Sequence, residues 1–339
     1  MSDPRVSVVV VTWNGLALTR RCVESLRAQS LEPGEMEIIV VDNGSSDGTV
    51  EALSSEPDLR VVPRAVNGGF AAGANAGIRA ASGELVVLIN NDAVAEPGTV
   101  AHLVAPFAAG RRVGATTGTV LLSGRFAPAP AGSTGALVSS DGSRWLRTAQ
   151  GGTRLLNSTG NEVTRSGNGR DRDWLAPADA PPAPAEVFGF NGGCVALSRA
   201  ALDDVGLLEE SLFMYYEDTE LSWRLRRRGW SIEHVPSAVT VHDHAASSGT
   251  ASAFFQDHNE RNRVLVALVH APWPVVLRAT TRTLVRTVLG PERGRRLRVI
   301  GSILRRVPWA LRRRREVDRS ASVPRDVPAA LLVPDGGGR

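Results

Sequence analysis

Val6-Ser7-Val8-Val9-Val10-Val11-Thr12-Trp13-Asn14-Gly15 is the stretch that decides the fold. Its near-continuous apolar run reads as a strand buried on both faces, as parallel sheets covered by helices require. Thr12-Trp13-Asn14-Gly15 then turns the chain, and Leu18, Cys22 and Leu26, spaced four apart, give the next helix one apolar stripe. Outward from there the alternation continues. Glu37 to Val41 is a second strand, ending in Asp42-Asn43-Gly44-Ser45, and Leu59 to Val62 is a third. Asn67-Gly68-Gly69-Phe70 opens an alanine-rich helix to about Ala81, and Leu85 to Ile89 is a fourth strand ending in Asn90-Asn91-Asp92. This pattern predicts an α/β fold with a mostly parallel central sheet flanked by helices.

Regularity fades over residues 123–185, which are rich in Gly, Pro, Ser and Ala and read as a long irregular connection. It returns with a strand through Val195 and Ala196, a helix over Glu217–Arg228 stopped by Gly229, and a strand over Ala238–Val241. The three arginines closing the Glu217 helix suit its C-terminal dipole.

Among 339 residues there is no lysine; all 39 Lys-or-Arg positions are Arg, against 35 acids. Charge is unevenly placed. Residues 278–319 hold 14 Arg against Glu292, Glu316 and Asp318, a net of +11, whereas residues 1–277 hold 23 Arg against 30 acids. A basic tail on an acidic body suits an anionic surface. The N-terminus carries no secretory pattern, and no run of about 20 apolar residues is long enough to span a bilayer. Cys22 and Cys194, far apart, form no metal spacing and read as buried thiols of a reducing compartment.

Ligands of open parallel sheets bind at the carboxyl ends of the strands. Three polar clusters stand there: Thr12-Trp13-Asn14, Asp42-Asn43-Gly44-Ser45 and Asn90-Asn91-Asp92. A diphosphate needs a hard divalent cation with oxygen ligands, and Asp92 is the candidate ligand. An Asx turn capping the next helix is the structural alternative. Glu217-Asp218 opens a helix, where acids are favoured in any case, but a carboxylate there can also take the proton of an attacking hydroxyl. His242 and His244, two apart on an extended segment, share a side and are further metal candidates. Trp223 lies on the Glu217 helix and is either core or a sugar platform.

In order and spacing, nine stretches over about residues 5–273 resemble glycosyltransferase family 2, of GT-A fold, and its bacterial rhamnosyltransferase-like branch. They are VSVVVVTWNG, IIVVDNGSSDGT, NGGFAAGANAG, LVVLINNDA, NSTGN, FGFNGGCVALSRAALDDVGLLEE, FMYYEDTELSWRLRRRGW, VHDHAASSG and NERNRVLVALVHAP. The resemblance implies that Thr12, Asn14, Asp42 and Asn43 hold the nucleoside, with Asn67 and Asn75 flanking the donor pocket. Asn90-Asn91-Asp92 takes the place of an Asp-x-Asp motif with an amide first, leaving Asp92 most of the coordination of Mn2+ or Mg2+. It implies Asp218 as base with Glu217 as partner or alternative, and Phe190-Asn191-Gly192 with Trp223 on the acceptor side. His244 is the first choice to complete the metal shell and His242 the second, while Arg261, beside Asn262, clamps the diphosphate.

The expected layout is a catalytic domain over 1–273, with a nucleotide-binding half to about 122 and an acceptor half beyond it. A basic amphipathic helical tail over 274–319 and a disordered end over 320–339 follow. The expected reaction is inverting transfer of a sugar, L-rhamnose from dTDP-L-rhamnose being the first choice, to a glycan or lipid-linked glycan of cell-wall or surface-polysaccharide assembly. The expected place is the cytoplasmic face of the plasma membrane, held by the tail. No nucleic-acid-binding motif accompanies the basic charge. A polyprenyl-phosphate sugar synthase and an inactive nucleotide-sugar-binding scaffold remain open as alternatives.

Overall fold

The computed structural model describes residues 5–32, 34–181, 184–243 and 252–336. Its first part runs β1 (Val6–Thr12), α1 (Leu16–Arg27), β2 (Met36–Asp42), α2 (Thr49–Ser54), β3 (Leu59–Pro63), α3 (Gly69–Ala80) and β4 (Leu85–Ile89). Then come β5 (Ala93–Ala95), α4 (Thr99–Val104) and β6 (Val113–Leu122). The stretch expected to be irregular holds six short strands: β7 (Arg125–Pro128), β8 (Leu137–Val138), β9 (Arg144–Thr148), β10 (Leu156–Ser158), β11 (Asn161–Val163) and β12 (Gly169–Asp171). The chain continues through β13 (Cys194–Ser198), α5 (Arg199–Val205), α6 (Glu217–Arg227) and β14 (Ser231–His242). It ends in α7 (Ala253–His270), α8 (Trp273–Leu289), α9 (Arg293–Ser320) and α10 (Asp326–Ala329).

The central sheet orders its strands β3-β2-β1-β4-β13-β6-β14-β5, with β10 beside β6. β1, β2, β3, β4, β6 and β14 point one way; β5, β10 and β13 point the other. The sheet is therefore mixed but mostly parallel. Apolar runs without alternation are explained by burial on both faces. Val8, Val10, Ile38, Val40, Val87 and Ile89 pack toward Cys22 and Leu26 of α1 and Leu103 of α4. Val9, Ile39, Val41, Val86 and Leu88 face Ala74 and Ile78 of α3 and Leu221 and Leu225 of α6. α3 lies close on the sheet because residue 77 is glycine: a Cβ there would sit 2.2 Å from Val9 Cγ1. Cys22 and Cys194 are both free and buried.

A third apolar layer joins α7, α8 and α9 through Leu265, Val269, Val275, Ala279, Val299, Ile303 and Val317. The end of the chain, expected to be disordered, instead packs on this layer as far as residue 336. Arg325 donates to the carbonyls of Val269 and His270, Val333 N–H bonds Val163 O, and Leu332 is buried. Arg224, Arg226 and Arg227 of α6 are buried. Arg224 pairs with Glu220 and donates to the carbonyls of Val205, Gly206 and Leu207, so it satisfies backbone acceptors that burial would otherwise strand.

Candidate active site

A cleft of about 1940 Å3 opens at the carboxyl ends of β1 and β4. Thr12, Asn14, Asn43, Asn67, Asn90, Asn91 and Asp92 line one part of it; Asn191, Gly192, Glu217 and Asp218 line another. The two acidic motifs, far apart in sequence, thus share one cavity.

On the first wall, polar side chains tie the strand-end loops together. Asn14, at φ 50°, accepts the Ser46 N–H at 2.8 Å through Oδ1, while its own N–H donates to Ser45 Oγ at 2.8 Å. Asn91 Nδ2 donates to Thr12 Oγ1 at 3.2 Å, and Asn43 Nδ2 to Asn67 Oδ1 at 2.9 Å. Asp42 sits below rather than on the wall. Its Oδ1 accepts the Gly44 and Ser45 N–H groups, and its buried Oδ2 has no partner among the described residues.

Sheet register brings the second acidic-site component into place. β14 pairs antiparallel with β5, His242 opposite Ala93, so His242 Nε2 lies 3.0 Å from Asp92 Oδ1. The other ring nitrogen, Nδ1, is 2.9 Å from Asn157 Oδ1, and Asn157 Nδ2 points to Asp171 Oδ2 at 3.4 Å. An amide oxygen accepts only, so Nδ1 carries the proton and, in the neutral ring, Nε2 turns its lone pair toward Asp92. A carboxylate beside such an imidazole, with the far nitrogen held by an amide, fits a divalent cation. No cluster of three His, Cys, Asp or Glu suited to a metal is found among the described residues. His244 lies outside the described residues.

α6 lines the same cleft with Glu217 and Asp218 of its first turn. Glu217 is buried with Oε2 unpartnered among the described residues, and Asp218 is half-buried against the cleft. Burial, then the charge of Asp218, holds the Glu217 carboxyl well above its ordinary range. Asp218 is raised as well, by burial and by the charge of Asp171. The turn feeding this pair is strained. Phe213, Tyr215 and Tyr216 have φ of 68°, 68° and 72°, which costs bulky residues about 1–3 kcal/mol each.

Asp171 is the functional candidate that sequence reasoning missed. Standing at the end of β12, it accepts from Asn191 Nδ2 at 2.7 Å. Its carboxyl is raised by burial. Hydrogen bonds thus run from His242 through Asn157 and Asp171 to Asn191, with His242 Nε2 beside Asp92. The one available signal was the acid triplet Asp171-Arg172-Asp173 inside a stretch without periodicity.

Besides Asp42, four expected site residues do not line the cleft. Asn75 is buried, donating to Leu208 O and Glu210 Oε1 and accepting the Leu208 N–H, so it ties α3 to the 208–210 segment. Phe190 is fully buried among core residues. Trp223 is 1 % exposed, edge-on to Phe188 at 4.9 Å and stacked with His270 at 6.2 Å, where a sugar has no access. Arg261 is not among the lining residues: its Nε donates to Asn262 Oδ1 and its Nη2 to Leu212 O, both at 2.9 Å.

The fold, with its strand-end cleft, is of the GT-A class. GalNAc-T7, solved with UDP, GalNAc and Mn2+, superposes with a TM-score of 0.60 at 17% identity over 84% of this chain, which spans 50% of that one. The mannosyltransferase PcManGT of Pyrobaculum calidifontis, solved with GDP-Man and Mn2+, gives 0.52 at 18% identity over 94% of this chain and 86% of that one. Residues 7–153 match the family model of glycosyl transferase family 2. It is similar to the N-acetylglucosaminyl-diphospho-decaprenol L-rhamnosyltransferase of Mycobacterium tuberculosis, 28% identical over 323 residues, 86% of this chain and 97% of the relative.

Proposed function

We propose that this glycosyltransferase moves a sugar from a nucleotide-diphosphate donor to a hydroxyl of a lipid-linked glycan, with inversion. L-rhamnose from dTDP-L-rhamnose is the proposed donor. The observation that carries the reading is that Asp92 with His242 and Asp218 with Glu217 line a single cleft. The likeness to the mycobacterial rhamnosyltransferase supports the choice of sugar and of a lipid diphosphate acceptor.

In this reading the loops after β1 and β2 seat the nucleoside, Asp42 Oδ2 being the acceptor left over beneath them. The acceptor hydroxyl gives its proton to Asp218 as its oxygen bonds the anomeric carbon, and the bond to the diphosphate breaks on the opposite face. Glu217, kept protonated by burial, spares Asp218 a second negative charge alongside. Asp92 and His242 would hold a Mn2+ or Mg2+ ion, which supplies Lewis-acid stabilisation of the diphosphate charge. Asn191 and Asp171 offer hydrogen-bonding groups for the acceptor sugar.

A lipid-linked acceptor would call for a membrane surface, and the exposed side chains of α8 support that reading. Trp273, Leu277, Leu284, Val288 and Leu289 are exposed along it, flanked by exposed Arg278 and Arg286. Apolar side chains rimmed by arginine suit an anionic lipid interface. No helix among the described residues is long and apolar enough to cross a membrane.

The test is a donor screen with purified protein, Mn2+ or Mg2+, a polyprenyl-diphosphate glycan acceptor and a panel of nucleotide sugars. Release of dTDP from dTDP-L-rhamnose above all other donors is expected; release from another donor alone would overturn the choice of sugar. Full transfer by Asp218→Asn would favour a polyprenyl-phosphate acceptor, which needs no proton acceptor.

A further inference from the structure

We infer that Asn262, steadied by Arg261, is a positioning residue for the reaction: it clamps the strained turn at Phe213–Tyr216 so that Asp218 points into the cleft. The inference rests on Asp218 being the proton acceptor.

Asn262 is fully buried on α7. Its Nδ2 lies 3.1 Å from Leu212 O, 3.0 Å from Met214 O and 2.7 Å from Tyr215 O. Three carbonyls converging on one point repel one another, and one amide nitrogen between them offers two N–H donors. Arg261 Nε holds the amide oxygen, which turns Nδ2 toward the turn, and Arg261 Nη2 adds a second donor to Leu212 O.

The turn needs such a clamp. Phe213, at φ 68° and ψ −62°, forms a left-handed γ-turn in which Met214 N–H bonds Leu212 O at 2.9 Å. Tyr215 and Tyr216 follow at positive φ, and Glu217 begins α6 directly after. On the far side, Gly69 makes room, since a Cβ there would lie 2.1 Å from Phe213 O. The Tyr216 hydroxyl accepts the Gly169 N–H at 3.0 Å, joining the turn to the hairpin that carries Asp171. Without the clamp, the bulky residues relax toward negative φ and rotate the first turn of α6, carrying Asp218 away from Asp171 and the cleft. The Arg-Asn pair therefore acts on the reaction through backbone carbonyls, without touching the donor.

The test compares wild type, Asp218→Asn, Asn262→Ala, Arg261→Gln and Tyr215→Gly in the transfer assay. Asn262→Ala is expected to lower kcat about 10²-fold, the scale of a small misplacement of a catalytic group, with donor KM little changed. The acid limb of its rate profile is expected to move to lower pH, because Asp218 leaves its burial and the charge of Asp171. Adding Tyr215→Gly should restore part of kcat, since glycine accepts positive φ unaided. Arg261→Gln should show the same pattern more weakly, and it carries the test if Asn262→Ala does not fold. An unchanged kcat and acid limb, or a loss explained by donor KM and melting temperature alone, would overturn the inference. Activity retained in Asp218→Asn would instead sink the reading of the site on which it rests.

Discussion

Glu217→Gln should make the protein more stable, by an amount that grows as pH rises above about 4.5. Glu217 is buried beside Asp218 with an oxygen that no described residue satisfies. An unfolded glutamate ionises near 4.5, whereas burial raises the folded carboxyl well above that value. Between the two values the folded protein holds a proton that the unfolded chain has released. Stability from this group is therefore complete below about pH 4.5 and falls as pH rises toward the folded value. Each pH unit of that window removes about 1.4 kcal/mol, so two to three units amount to roughly 3–4 kcal/mol. Glutamine has no proton to lose. Melting curves should coincide near pH 5 and separate by roughly 4–8 °C at pH 9, the variant being higher. A gap that does not depend on pH, or a variant that melts lower at pH 9, would show that Glu217 is ionised in the fold and would refute the argument.

Asp218→Asn should lower kcat by about 10²–10⁴-fold, measured as sugar transfer with donor and acceptor saturating. In wild type the acid limb of kcat/KM should lie above the ordinary aspartate value of 3.8, and Asp171→Asn should move it down by removing a facing charge. Chelation by EDTA should abolish transfer, Mn2+ should restore it, and Asp92→Ala or His242→Ala should weaken Mn2+ binding read by calorimetry; equal affinity in all three proteins would refute the cation site. Leu277→Glu on α8 should release the protein from anionic vesicles in a sedimentation assay while leaving soluble donor turnover intact. Gly77→Ala, forcing a methyl 2.2 Å from Val9 Cγ1, should cost about 1–3 kcal/mol in urea unfolding.

What the sequence made legible follows from how strongly each feature constrains local chemistry. β1, β2 and β4 are buried on both faces, so their apolar runs and the polar clusters at their ends could be read directly. The 123–185 region could not be read that way. Its strands are two to five residues long, too short to show a period, and Asp171 owes its place to β12 pairing rather than to any neighbour in sequence. Arg261 and Asn262 were misread because a buried clamp on carbonyls and an anion clamp use the same donors. Phe190 and Trp223 belong to the core, the commoner fate of aromatics, which no motif distinguishes from a sugar platform. The terminal segment has the composition of a loose end, yet Arg325 finds two carbonyls left at the end of α7, a partnership that composition does not encode.

Leu331, Val333 and Pro334 line the same cleft as Thr12. During synthesis, then, every acidic motif leaves the ribosome before the panel formed by residues 331–334 can be fitted. A nascent chain holding every acidic motif would still present its acceptor side open to water, and a bulky fusion placed directly after residue 336 would press on that panel. Catalytic competence should consequently appear late and all at once, when the tail docks, rather than growing as each motif emerges.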